Sequence, residues 1–490
     1  MNRRTLLEGI AAAGATCALP GMVQAAAHPA ETCFSRFNAR AKGGSGLDPW
    51  RSVNVTEFAP LQMRVEGKIP RGLSGTLYRN GPAGFERAGA RYQHWFDGDG
   101  MIQAFRIGAQ GITHHGRKVA TRKWQREEKA GRFLIGGAGS TVPDPAPARG
   151  NDSGNPANIS VIPWGDDLLA LWEAGSPYAL DPDTLETRAR VVFSPETDGV
   201  SFSAHPQIET DGRMWNFGLA QWTGKTGALA LYALSPSRGL ERVTLMELPF
   251  AGYMHSFTMT KRWLVFYLVP NVLKPGRADT YVGSHRWEPE RGGRILLVDK
   301  ENFDNRRWHD APAGFVWHFA DASDRPDGGV SIRCPWADGP KTMSGGMYGV
   351  MCGEKTGLED TSVLATLTLA ANGTVKVERT DIRGEFPICD PRGSSPFVVM
   401  ASDYEIQLVT AQGQRRVLRA PGKTKLEEHR FVPRSANLGD GWLIGTGYDF
   451  AARQSVVTVF DTQSQSDSPV AVARMDRRLP FGFHGWFVSS

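Results

Sequence analysis

The sequence predicts an all-β fold built from radial blades, a β-propeller, and three observations support this. From about Val55 onward, short apolar or alternating runs are separated by Gly, Asp, Asn and Pro, which favour turns. The chain contains 56 Gly, 31 Pro, 24 Phe and 14 Trp, a composition typical of turn-rich, aromatic strands. Hairpin-like pairs of strands also recur over a few tens of residues, as propeller blades do.

Three strand pairs show this recurrent plan. A turn with Gly or a charged residue precedes an apolar or aromatic strand, and a second strand ends near an Asp. The pairs are residues 165–173 with 178–187, 262–267 with 294–299, and 441–448 with 456–461. A β-sandwich is the structural alternative, because it also uses short alternating strands. No break in composition divides residues 55–490, which predicts one closed domain after a lead-in segment at 28–54 with little pattern of its own.

Residues 1–27 are predicted to be a twin-arginine signal peptide. Arg3 and Arg4 precede an apolar stretch around residues 9–19, too short for a bilayer core about 30 Å thick. Small residues at 25–27 offer cleavage sites. The expected location is therefore the periplasm, reached by twin-arginine export. An uncleaved anchor with a chance Arg-Arg pair is the alternative.

Cysteine content and charge exclude some classes of protein. After the signal the chain keeps Cys33, Cys334, Cys352 and Cys389, without a C-x-x-C pair, which argues against a zinc ribbon or a thioredoxin motif. An oxidising compartment would permit a disulfide, but the spacing does not assign one. The net charge is +5, yet Lys and Arg are dispersed, so no nucleic-acid partner is expected. Weak attraction to an anionic membrane surface stays open.

Eleven histidines are present, and four of them lie within apolar or aromatic runs: His205, His255, His318 and His484. A buried imidazole needs a hydrogen-bond partner or a metal, because an unpaired buried polar group is costly. The other seven lie at the signal junction or beside polar residues, where we expect solvated or capping roles. Neutral imidazoles suit iron, zinc and copper. The sequence therefore predicts a four-histidine metal site.

The spacing of these histidines agrees with the blades. The steps are 50 and 63 residues, and His484 lies 166 residues further on, close to three steps of about 55. Glu385 and Glu428 fall where the missing steps would be. Since inner strands of a propeller converge on one axis, residues from several blades can meet there. Metal-binding histidines need an acceptor that orients them, and Glu173, Glu385 and Glu428 are the candidates, with a surface carboxylate as the alternative for Glu173 and Glu428.

The sequence resembles the carotenoid cleavage oxygenase family over nearly all residues from about 55 to the end. The motifs that carry the resemblance lie at 67–82 (GKIPRGLSGTLYRNGP), 95–102 (WFDGDGMI), 204–206 (AHP), 254–257 (MHSF), 317–318 (WH), 384–387 (GEFP), 431–434 (FVPR) and 480–487 (PFGFHGWF). The resemblance implies a seven-bladed β-propeller with a loop and helical cap over its top face.

For the site, the resemblance implies that Fe(2+) is held by His205, His255, His318 and His484. It pairs Glu173, Glu385 and Glu428 with His255, His318 and His484 in that order, and it leaves His205 without a carboxylate. Ile159 stands where the family commonly has Thr, whose methyl group crowds one coordination position. The chain also departs from the family at Asp321, Ala322 and Ser323, where an Asn, a small residue and an aromatic are common.

For the activity, the resemblance implies a dioxygenase that adds both atoms of dioxygen across a double bond of an apolar polyene. The expected substrate is a carotenoid or apocarotenoid, cleaved to two carbonyl products. A stilbene is the alternative, but the phenol-binding lysine of stilbene-cleaving members falls on Ala120. The apolar segments 132–136 and 267–273 are expected to form the cap and could contact a membrane.

Two other classes were weighed against the dioxygenase. A non-enzymatic, ligand-binding propeller would leave the four histidines scattered or without metal. A zinc hydrolase is disfavoured, because four protein ligands leave less room for the open position of a catalytic zinc site.

Overall fold

The computed structural model describes residues 27–42, 46–220, 226–358, 361–393 and 395–490. The predicted signal peptide lies outside these residues, apart from Ala27. Within the described part, the strands form seven antiparallel sheets of four to six strands and one two-stranded hairpin. The seven sheets are the blades of a β-propeller, so the prediction of this fold is confirmed and the β-sandwich alternative is wrong.

The first and last blades close the ring by exchanging strands. The first blade contains β1 (Glu57–Gln62), β3 (Gly75–Gly84), β6 (Asp99–Gly108), β7 (Gly111–Lys118) and β34 (Gly485–Ser489). The seventh contains β2 (Arg64–Gly67), β30 (Thr424–Pro433), β31 (Gly441–Asp449), β32 (Gln454–Asp461) and β33 (Ala471–Met475). The late strand β34 pairs with β3, and the early strand β2 pairs with β33. Each end of the chain therefore completes a blade begun by the other end.

Blades two to four follow one another along the chain. The second contains β8 (Ser160–Trp164), β9 (Asp167–Leu171), β10 (Tyr178–Leu180) and β11 (Thr187–Arg190). The third contains β12 (Gln207–Ile208), β13 (Met214–Ala220), β14 (Gly227–Leu234) and β15 (Leu240–Leu248). The fourth contains β16 (Gly252–Tyr253), β17 (Thr258–Met259), β18 (Trp263–Leu273), β19 (His285–Trp287), β20 (Gly293–Asp299) and β21 (Arg306–Ala311).

Blades five and six complete the ring. The fifth contains β22 (Asp321–Asp324), β23 (Val330–Trp336), β24 (Val363–Leu369) and β25 (Val375–Arg383). The sixth contains β26 (Glu385–Ile388), β27 (Phe397–Ser402), β28 (Glu405–Thr410) and β29 (Arg415–Leu418). The three predicted strand pairs are all observed, as β9 with β10, β18 with β20, and β31 with β32.

Strands in the middle of a blade are buried on both faces, because neighbouring blades stack on each side. Every residue of β14 and β18 is buried, and both strands are rich in Ala, Leu, Val and aromatic residues. The outer strand β25 is mostly exposed and carries charged residues. Long apolar runs therefore mark the middle strands, and alternation marks the outer ones.

Within the described residues, three helices lie outside the blades. They are α1 (Pro29–Ala41), α2 (Arg122–Ala130) and α3 (Met347–Met351), the last preceded by a π-helical turn at Thr342–Gly346. Single 3-10 turns lie at Asp48–Trp50, Trp95–Asp97, Asn151–Ser153, Pro195–Thr197 and Pro289–Arg291, and the hairpin consists of β4 (Glu86–Arg87) and β5 (Ala90–Arg91). Several of these segments cover the end of the propeller where the four histidines meet, and together they form the cap.

The lead-in segment is more ordered than its sequence suggested. Helix α1 begins after His28, whose side chain forms a capping box with Glu31. Its buried face consists of Ala30, Cys33, Phe37 and Ala41, at helical spacing. We expected little pattern between residues 28 and 54, and this expectation was wrong.

A disulfide joins two parts of the cap. Cys33 of α1 is bonded to Cys352, which follows α3 and lies 319 residues away in the sequence. Cys334 and Cys389 are free. Beside this bond, the Arg91 guanidinium lies 3.5 Å from the centre of the Phe37 ring and donates to the Met351 carbonyl. The covalent bond and the arginine therefore hold α1 against α3.

Most apolar side chains of the two segments that suggested a membrane contact are buried. Residues 267–273 belong to β18 and are buried, so the expectation that they form the cap was wrong. Phe133 and Ile135 are 2% and 7% exposed. In the residues that the structure describes, no helix has both the length and the apolar character needed to cross a bilayer.

Candidate metal centre

The four predicted histidines converge at the propeller axis. His205 precedes β12 of blade three, His255 lies between β16 and β17 of blade four, and His318 precedes β22 of blade five. His484 immediately precedes β34, the strand that completes blade one. Their metal-binding atoms all lie within 4.8 Å of one another. Each histidine therefore reaches the axis from the innermost strand of a different blade.

The imidazoles surround one small space. The Nε2 atoms of His205 and His255 are 3.0 Å apart. The ring centre of His205 lies 4.6 Å from that of His484 and 5.2 Å from that of His318. Two nitrogens bound at right angles to one ion, each about 2.1 Å from it, would also lie about 3 Å apart. The rings are therefore spaced as ligands of a single ion would be.

Three carboxylates orient three of the histidines. The Nδ1 atom of His255 lies 3.0 Å from Glu173 Oε2, that of His318 lies 2.9 Å from Glu385 Oε2, and that of His484 lies 2.9 Å from Glu428 Oε1. These contacts match the pairs that the family resemblance implies. In the described part of the chain, His205 has no hydrogen bond to a carboxylate.

The carboxylates come from the three blades that supply no histidine. Glu173 follows β9 of blade two, Glu385 begins β26 of blade six, and Glu428 lies in β30 of blade seven. Glu428 is 2% exposed, whereas Glu173 and Glu385 are each 19% exposed. None is the solvated surface carboxylate that the alternative required. All seven blades thus contribute a side chain to the centre.

In Glu428 and Glu385, the carboxylate oxygen that does not face the histidine also has a side-chain donor, which sequence reasoning missed. Glu428 Oε2 accepts a hydrogen bond of 2.9 Å from Arg79, and Glu385 Oε1 accepts one of 2.9 Å from Ser362. Arg79 belongs to the motif at 67–82 and is the only charged residue of strand β3, so it was a usable signal. Ser362 carries no such signal, because it reaches the centre from the loop before β24.

These hydrogen bonds fix which nitrogen of each ring carries the proton. When Nδ1–H donates to a carboxylate, Nε2 must hold a lone pair, so the rings of His255, His318 and His484 direct lone pairs to the centre. The Nε2 atom of His318 is buried and has no hydrogen-bond partner in the described part of the chain. An inward ring of lone pairs is unfavourable unless a cation lies among them. The residues present therefore fit a bound metal ion.

Burial favours the neutral form of three of these imidazoles, those of His205, His255 and His484. Burial lowers the pKa of His205 well below its usual range, and the nearby His255, His484 and His318 lower it further. Burial also lowers the pKa of His484 to about 3, although the charge of Glu428 opposes this shift. Neutral rings can bind a metal at neutral pH without first losing a proton.

A largely apolar cavity opens beside the histidines. Aromatic side chains form much of its wall: Trp50, Trp95, Phe96, Trp317, Phe386 and Phe483. The cap contributes Trp50, Thr342 and Met347. Asp403, Lys425 and Glu427 form a charged part of the wall, with Lys425 Nζ 3.0 Å from Asp403 Oδ1. The cavity can therefore hold an apolar molecule with a polar end.

Ile159 lies where the sequence placed it, at the wall beside the histidines. Its side chain is 2% exposed and lines the cavity. Its backbone carbonyl accepts a hydrogen bond of 3.1 Å from the His484 N–H. Ala120 does not line this cavity, and its N–H donates to Thr187 Oγ1.

The departure from the family pattern at residues 321–323 lies away from the ligand atoms. Asp321 forms an ion pair with Arg333, whose Nε lies 2.8 Å from Asp321 Oδ1. This pair joins β22 to β23 within blade five. Asp321 therefore stabilises the blade that positions His318.

Sequence reasoning misjudged most of the remaining histidines. His94, His114, His115, His285 and His429 are buried rather than solvated, and they are between 0% and 6% exposed. His94 does cap a turn, since its Nδ1 accepts from the Phe96 N–H. Buried side chains contact two of the others: His114 Nε2 lies 2.8 Å from Gln103 Oε1, and His429 Nε2 lies 2.7 Å from Thr458 Oγ1. Polar neighbours in sequence are poor evidence of exposure, because adjacent residues of a strand point to opposite faces.

Comparisons with known proteins define the class. The family model described as retinal pigment epithelial membrane protein matches residues 51–489. The chain therefore belongs to this family, which contains the carotenoid cleavage oxygenases. The apocarotenoid-15,15'-oxygenase of Synechocystis is 28% identical to this chain over 86% of its length and 91% of that protein.

Other relatives carry different substrate names. The isoeugenol monooxygenase of Pseudomonas nitroreducens is 27% identical over 87% of this chain and 94% of that protein. The lignostilbene-α,β-dioxygenase isozyme III of Sphingomonas paucimobilis is 27% identical over 87% and 93%. The crystal structure of cobalt-substituted apocarotenoid oxygenase from Synechocystis superposes with a TM-score of 0.78, at 26% identity, over 91% of this chain and 98% of that chain. The relatives are oxygenases, and they do not share one substrate.

Proposed function

We propose that this protein is a non-haem iron(II) dioxygenase that cleaves a carbon–carbon double bond of a carotenoid or apocarotenoid. The observation that carries the proposal is the convergence of four imidazoles, three of them hydrogen-bonded at Nδ1 to buried or half-buried carboxylates. Four neutral nitrogen ligands leave iron(II) its full charge and, in octahedral coordination, two open positions. The oxygenases among the relatives support the same reading.

In the proposed reaction, one alkene and one dioxygen molecule give two carbonyl compounds, each with one oxygen atom. The iron would supply the activation of dioxygen. The chain supplies placement and exclusion of water: the histidines and glutamates hold the metal, and the aromatic wall positions the alkene beside it. The balanced reaction releases no proton, so no acid–base side chain is required.

The substrate assignment rests on the wall of the cavity. Its aromatic and apolar lining suits a long conjugated hydrocarbon. A phenolic stilbene is the second candidate, favoured by Lys425 and Asp403, which place a donor and an acceptor on the wall. Both candidates carry a conjugated alkene with a polar end, so one experiment can test them together.

The test is anaerobic loading with iron(II), followed by exposure to labelled dioxygen with an apocarotenal or a 4-hydroxystilbene. We expect about one iron per chain, loss of one chromophore, and one labelled oxygen in each of two carbonyl products. Cleavage of the stilbene alone would replace the proposed substrate and keep the chemistry. Failure to bind iron would contradict the proposed function and favour a ligand-binding propeller.

We also propose that the protein is exported to the periplasm by the twin-arginine route. The disulfide between Cys33 and Cys352 supports this, because such bonds persist mainly in oxidising compartments. Replacing Arg3 and Arg4 by Lys should leave the protein in the cytoplasm with free thiols at both positions. Unchanged fractionation of that variant would contradict the export route.

A further inference from the structure

Tyr253 has a role that the proposed function does not use. It ends β16, two residues before His255, and is 1% exposed. Its hydroxyl donates a 3.0 Å hydrogen bond to Glu173 Oε2, the same oxygen that lies 3.0 Å from His255 Nδ1. The hydroxyl oxygen and His255 Nδ1 are themselves 3.1 Å apart. The phenol, the carboxylate and the imidazole thus form a closed triangle of polar atoms.

The surroundings hold the phenol in this triangle. The Tyr253 ring stacks against Phe315 at 5.8 Å between ring centres and meets Trp317 edge to face at 6.0 Å. The ring therefore cannot swing away, and a buried hydroxyl that lost its acceptor would be costly. Packing and hydrogen bonding both fix the hydroxyl on Glu173.

The other two carboxylates are arranged differently. Arg79 donates to the oxygen of Glu428 that His484 does not use, and Ser362 donates to the oxygen of Glu385 that His318 does not use. Of these three carboxylates, and among the residues that the structure describes, only Glu173 shares its histidine-facing oxygen with a side chain at hydrogen-bond distance; Arg430 Nη1 lies 3.8 Å from the corresponding oxygen of Glu428. A change at Tyr253 therefore acts directly on Glu173 Oε2, the atom that orients His255.

We infer that Tyr253 is a positioning residue for the metal, acting on His255 through Glu173. The inference rests on the proposed function, because it needs a metal bound by His255. The phenol holds Glu173 Oε2 in place and shares its negative charge, which fixes the His255 ring and limits how strongly the carboxylate polarises it. Without the phenol, the half-buried Glu173 can turn toward water, and the ligand environment on that side changes.

The experiment compares Tyr253→Phe with the control Tyr232→Phe, using cobalt(II) as a spectroscopic probe. Tyr232 is equally buried at 1%, and its hydroxyl donates a 3.0 Å bond to the Ser201 carbonyl, so its variant also loses one interior hydrogen bond. We expect Tyr253→Phe to lose cobalt to a chelator on the order of tenfold faster and to shift the visible cobalt bands. Tyr232→Phe should match the unmodified protein in both readouts.

Cobalt release and spectra of Tyr253→Phe identical to those of the unmodified protein would overturn the inference and leave the proposed function standing. If the unmodified protein binds neither cobalt nor iron, both fall together. A double-mutant cycle tests the route through Glu173. In the Glu173→Ala background, Tyr253→Phe should speed cobalt release by less than it does alone. Equal effects in both backgrounds would show that Tyr253 acts independently of Glu173 and overturn the inference.

Discussion

The metal centre and the cap are built in different ways. At the centre, the four histidines lie beside inner strands, and His255 and Glu173, 82 residues apart in sequence, are fixed by two separate blades. The cap consists of short helices and turns, and a disulfide joins two of its parts. The difference indicates that the propeller blades position the metal-binding residues, while the cap, which is held together separately, determines access to them. Changes in one region should therefore leave the other largely intact.

The largest effect on the metal centre is expected from replacing His205 by Ala. His205 has no carboxylate partner in the described part of the chain, so its removal leaves no buried carboxylate without a hydrogen-bond donor. We expect metal affinity and turnover to fall by more than about 100-fold, a larger loss than removal of an outer partner causes. Metal analysis and single-turnover product formation on the purified variant measure both effects.

The matched control is His309→Ala, which removes a histidine of β21 outside the cluster. It should keep normal metal content and activity. The circular dichroism of both variants should match that of the unmodified protein. Full iron content in His205→Ala would show that three histidines suffice.

The next largest effect compares Glu428→Gln with Glu385→Gln. Both substitutions should weaken metal binding by about 10- to 100-fold, because each loosens one histidine. Their effects on stability should differ. Loss of the Glu428 charge leaves the buried Arg79 with only Glu427, at 3.3 Å, and we expect a cost of about 3 kcal/mol in the free energy of unfolding.

In Glu385→Gln the amide oxygen can still accept from the Phe386 N–H and the amide NH2 can donate to the Ser362 hydroxyl, so it should cost less than about 1 kcal/mol. Denaturant unfolding of the metal-free variants separates the two cases. Equal losses of stability would mean that Arg79 does not depend on Glu428.

The metal centre could be predicted from the sequence because its residues recur at intervals of about one blade. The markers His205, His255, His318, Glu385 and Glu428 lie in blades three to seven, and His484 completes the circuit in blade one. A step of about one blade was therefore enough to group them. Ser362 and Tyr253 could not be found this way, because their partners depend on packing between blades.

The cap was harder to predict, because its contacts follow no period. Helix α1 did carry a signal, the helical spacing of its buried residues, and this was overlooked. The partner of Cys33 carried none, since Cys352 lies 319 residues away and four other pairings of Cys33 or Cys352 were equally allowed by spacing. Only the folded propeller brings these two segments together.

Removing the disulfide should test the independence of the cap. We expect the double variant Cys33→Ser, Cys352→Ser to lose about 2 to 4 kcal/mol of stability, because the bond closes a very long loop. Iron content should not change, since neither cysteine contacts the histidines or glutamates. The variant should bind substrate more weakly, with a raised KM and a similar kcat, because Trp50 and Met347 of the cavity wall lie on the joined segments.

Calorimetry with metal analysis and steady-state kinetics measures these effects, and the unmodified protein treated with a reductant provides a second route to the same state. Loss of iron from the double variant would mean that the cap also holds the centre, and the division between the two regions would fail.

The smallest expected effect concerns Ile159, which lies at the boundary between the centre and the cavity. Ile159→Val removes one methylene from the wall but keeps the carbonyl that accepts from His484. We expect a stability cost of about 1 kcal/mol and unchanged iron content. The ratio of kcat/KM for a bulky and a slender alkene should shift toward the bulky one by about tenfold or less.

Val161→Ala is the control, because Val161 is 1% exposed in the same blade and does not line the cavity. It should lower stability without changing that ratio. A shift of equal size in both variants would place the effect in the packing of blade two. A shift of the kcat/KM ratio in Ile159→Val alone would show that this single side chain limits the room beside the metal. The propeller would then take part in selecting the substrate along with the cap.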